Sequence, residues 1–158
     1  MKFERWEISR KVIEQTLAAF KRGRHEVFVI WTGQLNIVNP SCRIQRCVIP
    51  TQQPGFAPQG GAYVHITGAE LSRIQYQNYD LGERSVIQLH THPSGDVRMS
   101  ELDRQWEVVN HVGALSIIVP SYGDRRLEGF PGANVYEREV RDWRLWTRNE
   151  VANRLVIL

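Results

Sequence analysis

The stretch from Leu89 to Asp103 reads LHTHPSGDVRMSELD. It sets His90 and His92 two residues apart, follows them with Pro93, and places Ser100 and Asp103 three residues apart. Two imidazoles, a carboxylate and a nearby hydroxyl suit a hydrolytic zinc centre, where three protein ligands leave one position for water. A structural zinc site is more often closed by four protein ligands. Each piece also has a plainer explanation. Two histidines can simply end a strand at the surface, and Ser-x-x-Asp is a helix capping box. Their convergence on one turn and one short helix favours the joint metal reading. Ser100 can cap with one lone pair while its hydroxyl faces the site. Asp96 lies in the turn and ranks below Asp103 as a ligand.

The elements around this stretch must bring the groups together. Arg84 to His90 reads as a strand, so its side chains alternate: Val86, Gln88 and His90 face one way, and Ile87 and Leu89 the other. His92 continues on the face of His90, and Pro93 ends the strand because it has no N–H to donate. Ser94 to Met99 is then a turn. Ser100 opens a helix, expected to run past Leu102, Trp106, Val109 and Val112 to Gly113, with Asp103 one turn inside it. His111 near the end of that helix is accounted for by the helix dipole. His25 and His65 have no spacing partner and read as structural or surface groups.

The rest of the chain alternates between helical and strand patterns. Ser9 opens a helix through Val12, Ile13, Leu17 and Phe20, with Gly23 as its terminal glycine. Glu26 to Gly33 (EVFVIWTG) is apolar on both faces and reads as a buried strand with one acid at its entrance. Ile37–Val38 and Arg43 to Ile49 continue as strands around the turn Asn39-Pro40-Ser41. Pro50 to Ala62 (PTQQPGFAPQGGA) lacks periodicity and reads as a loop. Tyr63 to Ile66 is a short strand, and Thr67-Gly68-Ala69-Glu70 is a capping box for a helix burying Leu71 and Ile74. Ala114 to Val119, Val135 to Val140 and Leu155 to Leu158 are further strands. The pattern is that of a mixed α+β domain, one sheet with helices packed against it.

A chain of 158 residues suits one domain covering 1–158. Its 42% hydrophobic and 23% charged residues are those of a soluble globular protein. Twenty basic and 17 acidic residues, with a net charge of +3, describe a mixed surface and not a nucleic-acid footprint. Arg138, Arg141, Arg144 and Arg148 are interleaved with Glu137, Glu139 and Asp142, as on a solvated face. Cys42 and Cys47 read as reduced thiols. The N-terminus has no apolar signal region and no run approaches membrane-spanning length, so a cytoplasmic protein without membrane contact is expected.

The 89–103 block resembles the signature of the JAB/MPN domain metalloproteases, the JAMM motif. That signature is a glutamate on an early strand, followed by His-x-His-Pro-x6-Ser-x-x-Asp. His90-Thr91-His92-Pro93, six residues, Ser100, two residues and Asp103 match it at every fixed position. Glu26, heading EVFVIWTG, falls where the family often has EVxGLLxG. The resemblance implies an α+β fold of JAB/MPN (cytidine-deaminase-like) architecture, a single mixed sheet flanked by helices. It also implies one catalytic Zn2+ held by His90, His92 and Asp103.

In that family role, Glu26 is the general base and acid, and Ser100 donates a hydrogen bond to the developing oxyanion. The implied substrate is the isopeptide or peptide bond after the C-terminal tail of a ubiquitin-like protein, with loop 50–62 as a wall of the channel. Ser94-Gly95-Asp96 looks like the RadC-type branch. The chain length and the stretch VGALSIIVP look more like stand-alone bacterial JAB proteins, found with ubiquitin-like conjugation systems, some in phage defence. The implied partners are the ubiquitin-like protein or its conjugates and the E1- and E2-like enzymes of such a system. The alternatives are a RadC-like role tied to DNA, which would need a basic stripe, and a non-catalytic MPN scaffold, whose members usually lack part of the metal set.

Overall fold

The computed structural model describes residues 3–34, 40–58, 61–105, 107–124 and 126–158. Strand β2 (Phe28–Gln34) lies mid-sheet because its first six residues are apolar or small enough to be enclosed on both faces. Its neighbours are β3 (Ser41–Val48) and β6 (Glu83–Thr91), both antiparallel to it. Beyond β6 come β7 (Leu115–Val119), β8 (Asn134–Arg138) and β9 (Trp143–Leu145). Beyond β3 come β1 (Arg5–Ile8) and β10 (Leu155–Ile157). The eight strands form one sheet in the order β10-β1-β3-β2-β6-β7-β8-β9. It is mixed, because β1 pairs in parallel with β3 and β10, and β6 in parallel with β7.

Strand alternation divides the core in two. Val29 and Trp31 point to the face covered by α1 (Arg10–Phe20) and α4 (Arg148–Arg154), where they meet Val12, Phe20 and Val151. Phe28 and Ile30 point to the other face, which holds Ile74 of α2 (Gly68–Leu81) together with Val109. Buried Trp31 also donates from Nε1 to Thr16 Oγ1 at 2.8 Å, so α1 is tied to the sheet by a polar bond as well as by packing.

Several expected elements differ. Ser9 does cap α1, accepting the Val12 N–H, but the helix ends at Phe20 with Lys21 as its cap, short of Gly23. β1, β9 and α4 are additional elements, the last with a complete capping box between Thr147 and Glu150. Pro50 to Ala62 is not simply a loop. β4 (Gln53–Phe56) and β5 (Ala62–His65) form a separate antiparallel hairpin, Pro54 facing Val64. Pro54 is tolerated there because a two-stranded ribbon has open edges.

Thr67 caps α2, but the box is half made. The Glu70 carboxylate takes the Thr51 N–H at 2.6 Å and pairs with Arg73. Leu71 is half-buried, while Ile74 is fully enclosed. The helix after Ser100 is α3 (Glu101–Gln105) alone. Helix cannot continue through 108–109, because the Val108 and Val109 N–H groups are both taken by Gln88 Oε1, at 3.0 and 2.8 Å. His111 therefore sits in no helix, and its Nε2 lies 3.2 Å from the Ser85 carbonyl. The expected strand at Ile37–Val38, the Asn39 end of its turn and Trp106 fall outside the described residues.

Candidate metal centre

The antiparallel register of β2 and β6 places the first group. Phe28 faces His90, and next to them Val27 and Thr91 continue the contact. The Thr91 N–H donates to the Val27 carbonyl at 3.1 Å, and Thr91 Oγ1 accepts the Val27 N–H at 2.9 Å. One residue further out, strand parity puts Glu26 across from His92 and on the face of His90. Glu26, His90 and His92 are all buried, and the Phe28 ring stacks on His90 at 6.0 Å and 7°. Sequence reasoning passed over Thr91, the residue between the two histidines. Its side chain points away from them and holds the segment that carries Glu26.

His92 lies just beyond β6. Its N–H donates to the Val119 carbonyl at 2.8 Å, and its own carbonyl accepts the Tyr122 N–H at 2.9 Å. The Asp96 carbonyl lies 2.7 Å from His92 Nδ1, which sets the Nδ1–H tautomer and turns the Nε2 lone pair inward. Asp96 thus acts through its backbone. Its carboxylate is exposed and engaged by Arg98 at 2.9 and 2.8 Å, away from the histidines.

Asp103 completes the group from α3. Its Oδ1 lies 3.1 Å from His90 Nε2 and its Oδ2 3.2 Å from His92 Nε2, while the two Nε2 atoms are 3.2 Å apart. The capping box is also present: the Ser100 N–H donates to Asp103 Oδ2 at 2.8 Å, and Ser100 Oγ accepts the Asp103 N–H at 3.1 Å. The same carboxylate therefore closes the capping box with Ser100 and faces both histidines. Burial pushes the Asp103 carboxyl up, but His90, His92 and the Ser100 N–H outweigh it and hold the group well below the usual carboxylate range. Burial also raises Glu26, further than the two histidines pull it down.

These residues fit a metal ion. One ligand atom from each of Glu26, His90, His92 and Asp103 can be chosen so that all lie within 4.8 Å of one another. The two Nε2 atoms are 3.2 Å apart, close to the edge, about 3.3 Å, of a tetrahedron with bonds of roughly 2.0–2.1 Å, and each of them faces its own oxygen of Asp103. A proton can bridge only one pair of these atoms, whereas a cation at their centre satisfies them all.

The site opens into a groove of about 470 Å³. Ser100, Glu101, Leu102 and Gln105 line one side, and Ala57, Gly61 and Ala62 of the hairpin the other, with Glu26 and His92 between them. A smaller recess of about 30 Å³, the size of one water molecule, lies beside Glu26, His90 and Asp103 and reaches Gln88. Gln52 joins the hairpin to the site. Its carboxamide accepts the Phe28 N–H at 2.6 Å and donates to the Phe28 carbonyl at 2.8 Å, acting as a substitute strand partner. Nothing in the spacing of Gln52 marks it. Gln88 could have been noticed as a polar residue in an apolar strand on the face of His90. Of the remaining histidines, His25 Nδ1 contacts the Glu26 carbonyl, and His65 lines a separate cavity with Leu71 and Val108.

No protein-family model matches the chain. The probable metalloprotease y4jG of Sinorhizobium fredii (strain NBRC 101917 / NGR234) is 30% identical over 98 residues. That match covers 62% of this chain, which thus spans 58% of the relative's length. Among solved structures, the crystal structure of a JAB1/MPN domain protein from Archaeoglobus fulgidus aligns with a TM-score of 0.52 at 16% identity, covering 98% of both chains. This is a JAB/MPN-fold protein. The solution structure of a Desulfitobacterium hafniense protein shares the fold with a TM-score of 0.62 at 12% identity, covering 97% of this chain and 92% of its own. Among the described residues, no helix is long and apolar enough to cross a membrane. The C-terminal arginines are engaged locally: Arg138 with Glu107, Arg144 with Glu150, and Arg148 with the Ala133 carbonyl.

Proposed function

We propose that this JAB/MPN chain is a zinc-dependent hydrolase that cleaves the peptide or isopeptide bond after the glycine-rich C-terminal tail of a ubiquitin-like protein. The observation that carries the proposal is the convergence of His90, His92 and Asp103 at 3.1–3.2 Å beside a buried carboxylate, Glu26. Those three residues would hold a zinc ion, which would supply a Lewis acid and acidify a water from about 15.7 toward 7.

The chain's own groups do the rest. Glu26 takes a proton from the attacking water and passes it to the leaving amine; its raised affinity for protons suits a group that must hold one between those steps. Ser100 Oγ already accepts the Asp103 N–H, so its own hydrogen is directed elsewhere, and Ser100 lines the groove. It donates that hydrogen to the carbonyl oxygen as negative charge develops there, a contact worth about 3 kcal/mol. Among the described residues β5 pairs with β4 alone, which leaves an edge for an extended peptide. The small side chains of Ala57, Gly61 and Ala62 leave room for a backbone close to the site.

The test combines metal analysis with cleavage of ubiquitin-like fusions, with and without chelator. One zinc per chain, chelator-sensitive cleavage, and a Glu26→Ala variant that keeps zinc but loses turnover are the expected results. Carefully purified protein with no bound metal, or near-normal hydrolysis by Glu26→Ala, would refute the proposal.

A further inference from the structure

Asp103 belongs to an element that cannot position itself. α3 has five residues and none of them is fully enclosed, so apolar packing of the helix does not decide where the carboxylate stands. The preceding turn is held instead by polar side chains of β8. Asn134 and Tyr136 are two residues apart and share a face of that strand. Asn134 Nδ2 donates to the Val97 carbonyl at 3.1 Å and to the Tyr136 hydroxyl at 3.2 Å, and that hydroxyl accepts the Met99 N–H at 3.1 Å. Arg104 holds the other side of the same residue, donating to the Met99 carbonyl at 3.1 Å. Met99 immediately precedes Ser100, whose N–H and Oγ both bond to Asp103.

Resting on the metal reading above, we infer that Tyr136 is a positioning residue for the metal site: through the Met99 N–H its hydroxyl fixes where the Ser100–Asp103 corner stands relative to His90 and His92. The ring has a separate task. It packs with Val97, Met99, Ile118 and Trp143, and a phenylalanine would keep that contact. Tyr136→Phe therefore removes the bond and leaves the packing, while Val97→Ala loosens the packing and leaves the bond. Partners that orient metal ligands typically contribute 10- to 100-fold to metal affinity. Tyr136 acts one residue away from the corner, so a loss of about 10-fold is expected.

The experiment measures zinc affinity of the full chain by competition with a chromophoric chelator, and amide hydrogen exchange of the metal-free chain over 97–103. Tyr136→Phe should bind zinc about 10-fold more weakly and exchange the Met99 N–H faster, with Val97→Ala retaining affinity within about threefold. Wild-type affinity in Tyr136→Phe, or equal losses in both variants, would overturn the inference. If the wild-type chain itself took up no zinc, the metal reading would fall. Hydrogen exchange would then still decide the brace, since unchanged protection of Met99 in Tyr136→Phe overturns it.

Discussion

Thr91→Val is the substitution that best separates the sheet's role in the site from the ligands themselves. Thr91 is fully enclosed, and its Oγ1 is the acceptor for the Val27 N–H at 2.9 Å. Valine fills nearly the same space but accepts nothing, so a buried N–H is left unsatisfied at a cost of about 1–3 kcal/mol. Thr91→Ser keeps the acceptor and loses one methyl, which costs on the order of 1 kcal/mol in a packed core. On stability alone the two variants overlap. They differ in what they release: only the valine frees the backbone that ends in Glu26.

Urea unfolding of the metal-free proteins should show Thr91→Val down by about 1–3 kcal/mol. Both variants should keep zinc, because Thr91 touches none of the three ligand atoms. Turnover should fall in Thr91→Val by at least about 10-fold more than in Thr91→Ser, the loss expected when a catalytic group is misplaced by a fraction of an ångström to an ångström. Equal turnover in the two variants would show that the Val27 bond does not position Glu26, and the account of strand parity at the site would be wrong.

Asp103→Ala should leave the purified protein with no zinc by elemental analysis. Its melting temperature without metal should change by only a few degrees, since α3 contributes no buried residue to the core. Glu70 tests the link between α2 and the start of the hairpin. The Arg73 side chain and the Thr51 N–H hold its carboxyl down at about 2, from an ordinary 4.5. Because the folded value is the lower one, the folded state binds fewer protons in that window. Its stabilisation is complete above about 4.5 and disappears as pH falls toward about 2. Glu70→Gln should be less stable than wild type at pH 7 by about 1 kcal/mol after solvent screening. The gap should close on acidification, and a gap independent of pH would contradict the assigned pairing.

The site was more legible than the fold that carries it. His90 and His92 share a face for a reason contained in three consecutive residues, and Ser100-x-x-Asp103 makes its box within one turn. The buried strands were equally readable from their runs of branched and aromatic residues. Strand β1 was not, because Arg5–Ile8 is short and half polar, and pairing with β3 and β10 makes it a strand. The hairpin of β4 and β5 was hidden by its prolines and glycines, which argue for a loop in any local reading. The overlong helix after Ser100 shows the opposite error. Its apolar spacing was sound, but Gln88, distant in sequence, takes the N–H groups that a helix needs.

By itself the sequence determined the chemistry available: which side chains are donors, which pairs must share a face, and where a strand must stop. Those are properties of neighbouring residues, set by the periods of strand and helix and by the missing N–H of proline. The tertiary structure alone decided that Glu26, sixty-four residues before His90, stands within reach of it, and that Tyr136 and Gln52 hold the backbone around them. These facts depend on the register between strands and on which distant group satisfies each buried N–H. No local spacing encodes either.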